Sequence, residues 1–115
     1  MLKLTDYQWI NIGFQIPILK ASGSLSGRIH RLLGEVFGKT EKLRNQFQEE
    51  FDKDLIEAGN PAIMSEEWVK VNISVSDSFK QTTSSLEIPA MKAEWFDDVQ
   101  FATGQYEIFK PLFQP

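Results

Sequence analysis

The string with the most chemical promise is Gly34-Glu35-Val36-Phe37-Gly38-Lys39-Thr40. A phosphate-binding loop needs two glycines separated by four residues, then Lys and Ser or Thr, on a turn between strand and helix. Here three residues separate the glycines, and Val36 and Phe37 fall on an apolar stripe of helical spacing. Backbone N–H groups committed to helix bonds cannot cradle a phosphate, so the string reads as structure. Gly27, Gly34 and Gly38 share one helix face. Each glycine costs about 1 kcal/mol against alanine in a helix interior. Their presence predicts either close approach of another backbone or a bend near residues 34–38.

The remaining candidates are weaker. Ser22-Gly23-Ser24-Leu25-Ser26-Gly27 precedes the helical pattern, where an anion can sit at a helix N-terminus. As a link supplying a cap, from Ser24 or Ser26, it needs no ligand. His30, the single histidine, is flanked by Arg28 and Arg31 with no second ligand or nucleophile at a useful spacing. Surface exposure or helix packing is its expected role. Glu49-Glu50, Glu66-Glu67 and Asp97-Asp98 are paired carboxylates. Acid–base work would require them to converge in a cleft with separated pKa values, whereas sequence neighbours point apart. The absence of cysteine excludes a disulfide framework, a thiolate zinc site and a cysteine nucleophile. The expectation is a non-enzymatic chain with no catalytic, metal or cofactor residues.

The elements that carry these residues are clearer. With 115 residues, 42% hydrophobic and 24% charged, the chain has the size and composition of one soluble globular domain, residues 1–115. Apolar residues from Ile29 to Ala58 recur at steps of three and four, with Thr40 at the one weak turn. That predicts one long amphipathic helix over about 26–58, ended by Gly59-Asn60-Pro61. Its opposite face is charged or amide, and Glu41, Arg44, Glu49, Asp52 and Lys53 are its candidate interaction residues. Residues 10–18 alternate apolar and polar, a strand's period of two, yet Tyr7, Ile10, Phe14 and Ile18 also fit a helix opened by Thr5-Asp6. Periodicity alone favours the strand. Residues 69–75 read as a second strand, Ser76-Asp77 as the cap of a short helix from Phe79 to Leu86, and 87–95 as extended chain. Thr103 is the expected cap of a last short helix bent or ended by Pro111. The β or extended and short-helix part spans about 68–113.

The net charge of −4 is unevenly spread: +3 over residues 1–40, −5 over 41–67 and −2 over 68–115. An acidic chain with no basic–aromatic interleaving argues against nucleic acid as a partner. No basic segment followed by an apolar run opens the sequence, and no apolar run approaches about 18 residues. Neither a membrane partner nor export is expected, and the cytoplasm is the expected location. A straight helix of 33 residues would be about 50 Å long, longer than a compact domain of this size. Its apolar stripe continues to the end, which points to a homodimer with paired long helices, or else to a bend near Gly34 and Gly38.

Taken in order, the segments resemble in layout a broad class of small uncharacterised proteins of tailed phages and prophages. The matching pieces are Ser26-Gly27-Arg28, residues 42–56, Ser78-Phe79, Leu86-Glu87-Ile88-Pro89, residues 95–101 and residues 106–113. The resemblance implies a helical first segment and a short helical connector, although residues 10–18 and 69–75 are more strand-like than the class. It implies no catalytic residues. The combined expectation is an α+β, mainly α fold: a helical hairpin with the long helix, a short extended segment and a C-terminal short helix. The expected function is a protein–protein interaction module, a phage or prophage accessory or assembly protein in the host cytoplasm. The alternative is an inhibitor of a host protein, acting as an anti-defence factor or acidic decoy. A small enzyme or a nucleic-acid binder ranks below both.

Overall fold

The computed structural model describes residues 1–23 and 25–114. The chain runs β1 (Leu2–Thr5), α1 (Asp6–Ala21), α2 (Gly27–Lys39), α3 (Glu41–Glu57), α4 (Glu66–Phe79), β2 (Thr83–Leu86) and α5 (Gln105–Phe109). Short 3-10 turns occupy Ala93–Phe96 and Lys110–Leu112. The fold is α+β and mainly α.

Residues 7–20 are helical, against the period-two reading. Thr5 begins α1 with a capping box: its hydroxyl accepts from the Gln8 amide (3.1 Å), and the Gln8 side chain accepts from the Thr5 amide (2.9 Å). Pro17 lies inside the helix, exposed to solvent, where a proline costs about 3 kcal/mol. Packing outweighs that cost. Trp9, Ile12, Ile16 and Leu19 are fully buried with Leu33, Val36, Phe109 and Leu112, while Ile10 joins Phe47, Phe51, Val75 and Phe79 in a second cluster. One helix thus serves two cores.

The long helix expected over 26–58 is two helices joined at Thr40. The Phe37 carbonyl accepts two side-chain donors there, Thr40 Oγ1 at 3.0 Å and Arg44 Nη2 at 2.9 Å. Side chains inserted at the backbone ladder kink a helix. The expected close approach occurs at Gly13 of α1, not at Gly27, Gly34 or Gly38. A Cβ on Gly13 would lie 2.5 Å from Thr40 Oγ1 and 2.7 Å from Arg44 Cδ, whereas one on Gly38 would meet nothing within 4 Å. Gly13→Ala should therefore destabilise by about 1–3 kcal/mol through overpacking. Gly34→Ala, meeting only the flexible Lys20 Nζ at 3.4 Å, should stabilise by roughly 0.5–1 kcal/mol. Urea unfolding of the two variants measures both signs.

Residues 69–75 belong to α4, not to a strand. Ser65 accepts from the Trp68 amide (3.3 Å), Glu66 and Glu67 occupy the first turn, and both sit within ion-pair distance of Lys70. Val75, Ser76 and Phe79 face inward while Ile73 is left exposed. α4 lies back on α3, placing Trp68 edge-on to Phe51 at 5.4 Å. The apolar stripe that was to be covered by a second copy's long helix is thus covered by the same chain, which removes that argument for paired long helices.

The short helix expected to be capped by Ser76-Asp77 and to run through Phe79 to Leu86 does not form. Ser76, Asp77 and Phe79 are in the last turn of α4, and residues 83–86 are β2, which pairs antiparallel with β1 from Leu2 against Leu86 to Thr5 against Thr83. The expected extended stretch is interrupted by the turn at Ala93–Phe96. Gly104 (φ 79°), not Thr103, precedes α5, and the Gln105 side chain accepts from the Ala102 amide at 3.0 Å. Ser26 caps α2 through the Ile29 amide; Ser24 lies outside the described residues.

Candidate functional site

Residues 34–39 lie within α2, and Thr40 is buried at the joint. The string that approximates a phosphate loop therefore packs as a helix. His30 is exposed. Among the described residues no group of three or more His, Cys, Asp and Glu is arranged to hold a metal.

Of the five candidate interaction residues, Glu41, Glu49, Asp52 and Lys53 are exposed on α3. Arg44 is not part of that face. Its guanidinium stacks 3.8 Å over the Phe37 ring, and its Nε donates to Thr40 Oγ1 at 3.2 Å. Partial burial lowers its pKa, opposed by the Glu41 carboxylate. Arg44 locks the joint between α2 and α3.

An open cleft of about 510 Å³ lies where α3 meets the turn between α4 and β2. Its lining comprises Asp6, Gln46, Glu49, Glu50, Ser78, Phe79 and Thr82. Asp6 is 8% exposed and already committed. Its carboxylate accepts from the hydroxyls of Thr82 and Ser84, the latter at 2.5 Å, and its amide donates to the Thr82 carbonyl at 2.9 Å. It anchors the first turn of α1 to the chain leaving α4. Glu49 and Glu50 have no ion pair within 4.0 Å among the described residues. The cleft brings these two carboxylates into one lining with the Phe79 side chain, a setting that suits a cationic side chain on an apolar stem.

Sequence reasoning singled out Glu49 and Glu50 but expected the two to point apart, whereas both line this cleft; their other neighbours in it were missed. Asp6 and Thr82 meet at it through a contact 76 residues apart in the chain, and Ser78 arrives on α4, which no local spacing signals. Two smaller hollows flank other elements. One, of about 190 Å³, lies between Tyr7, Asn11 and Ile108; the other, of about 390 Å³, lies between Glu35, Lys39 and Ile88. No helix among the described residues is long and apolar enough to cross a membrane.

No protein-family model matches this chain, and no curated protein or solved structure is significantly similar to it.

Proposed function

We propose that this chain is a non-enzymatic protein–protein interaction module whose acidic cleft, formed by Glu49 and Glu50 beside Phe79, receives a Lys or Arg side chain of a basic partner protein. The observation that carries the reading is a pair of carboxylates, outside any ion pair among the described residues, that line one cleft with Phe79. Around them residues 41–67 hold eight acidic against three basic side chains, a charge that steers a basic partner and weakens with salt. The layout resemblance supports an accessory or assembly role in a phage or prophage, within the host cytoplasm. The same −5 segment favours a second reading, an acidic decoy that inhibits a basic host protein.

The test compares immobilised wild-type protein with the double variant E49K/E50K. A basic protein retained by the wild type, released by moderate salt and lost by the variant supports the cleft. Equal retention by both proteins overturns it. Copurification with other phage components identifies an assembly factor, whereas retention of a host protein whose activity falls on binding identifies a decoy.

A further inference from the structure

An open strand edge begins where the acidic cleft ends. β1 and β2 form a sheet of two strands, so each has one edge that no strand covers among the described residues. Thr5 faces Thr83, and the Asp6 amide donates to the Thr82 carbonyl at 2.9 Å. In an antiparallel ladder that bond makes Asp6 with Thr82, and Leu4 with Ser84, the pairs that exchange hydrogen bonds. The backbone N–H and C=O groups of Thr83 and Ser85 therefore point away from β1. Both residues are exposed, and no strand among the described residues pairs with them on that side.

The two edges of the sheet differ. On β1 the outward groups belong to Lys3 and Thr5. Lys3 is a charged side chain of the kind that guards an edge, and the Gln8 side chain takes the Thr5 amide at 2.9 Å. β2 lacks both devices. Residues 81–86, Gln-Thr-Thr-Ser-Ser-Leu, contain no charge and no proline. Thr83 and Ser85 each offer one donor and one acceptor, and such an edge takes an extended backbone as its occupant.

The cleft adds a choice of side chain. Thr82 lines it, and Thr83 is the next residue along, the first of β2. A segment laid on the edge continues past Thr82 toward the cleft at about 3.3 Å per residue. Lys80, in the turn between α4 and β2, is held by Asp77 at 3.2 Å. Glu49 and Glu50 stay outside any ion pair among the described residues, so the charge there calls for a cation on the occupant.

We propose that the partner enters as an extended segment, which adds a third strand to the edge of β2 and places a terminal Lys or Arg in the acidic cleft. Backbone bonds hold the segment whatever its sequence, and the cleft selects the cation. The inference rests on the cleft reading for its charge and adds the backbone that delivers it.

Fluorescence anisotropy of the full chain with the labelled peptide Lys-Thr-Val-Thr-Val-Thr-Lys tests it. The wild type should bind the peptide, less well as salt rises. Ser85→Pro removes an N–H that the β1 ladder does not use, so the variant should keep the wild-type circular dichroism. It should bind the peptide about tenfold more weakly. The same peptide N-methylated through its Thr-Val-Thr-Val-Thr core keeps both lysines but has no core donors, and should bind the wild type at least as poorly. E49K/E50K should weaken binding separately, through charge. Loss with E49K/E50K, but none with Ser85→Pro or N-methylation, overturns strand addition and leaves the cleft reading standing. Loss with both backbone changes, but none with E49K/E50K, overturns the cleft as the seat of the cation. A wild type that ignores the peptide overturns strand addition, while retention of a basic protein still tests the cleft. A wild-type dimer abolished by Ser85→Pro overturns the inference by giving the edge to a second copy.

Discussion

Trp9→Ala should lower the free energy of unfolding by about 3–5 kcal/mol, the range for truncating a fully buried large aromatic. Trp9 is 0% exposed in the middle of the larger core, and its indole N–H donates to the Ser84 carbonyl at 2.9 Å. The substitution removes both the volume that separates α1 from the sheet and the bond that ties them. Domains of this size have only about 5–15 kcal/mol in total. Trp9→Phe keeps most of the ring and loses the N–H, so its expected cost is smaller, about 1–3 kcal/mol. Urea unfolding followed by circular dichroism measures both. Equal losses would assign the effect to the hydrogen bond and not to the core.

Phe47→Ala should cost about 3–5 kcal/mol as well, for a different reason. Its ring lies 6.0 Å from Phe14, 6.0 Å from Phe51 and 5.6 Å from Phe79. One side chain therefore joins α1, α3 and α4. Glu49→Ala, two residues on and exposed, should change stability by less than roughly 0.5 kcal/mol. Similar shifts in melting temperature from the two variants would contradict the inward and outward faces of α3. Because Phe47 and Phe79 touch, the double variant should lose less than the two single losses added together.

The faces of α2 and α3 were legible in the sequence because each has one apolar stripe and one polar side. Even the joint left a trace, as Thr40 interrupts the stripe. α1 was not legible by periodicity, and its own composition explains why. Its apolar residues Ile10, Ile12, Phe14, Ile16 and Ile18 fall on alternate positions and so satisfy a period of two as readily as one of 3.6, and only Thr5 with Gln8 marks its start. In α4 the alternation of Val69, Val71, Ile73 and Val75 imitates a strand, while the buried set is Val75, Ser76 and Phe79. The Ser65 cap and the first-turn acids decide the outcome. Strands of four residues carry too little pattern to be seen at all.

The candidate face was legible as charge but not as geometry. Glu41, Glu49, Asp52 and Lys53 reach solvent as a polar face should. Arg44 turns inward because Gly13, more than thirty residues earlier, leaves room for it. The cleft depends on Asp6 meeting Thr82, and that meeting is fixed by the assembled fold.

The anchoring of Asp6 also bears on the order in which the molecule assembles. Pairing α1 with α2, or α3 with α4, closes short stretches of chain. Joining β1 and Asp6 to residues 82–86 closes a loop of more than seventy residues, and the entropy of that closure must be met before any of its bonds form. Helix packing first shortens the distance to be spanned. The sheet and the Asp6 hydroxyl bonds then follow the packing of those helices, so the acidic cleft they border is completed only once Asp6 and Thr82 have been brought together.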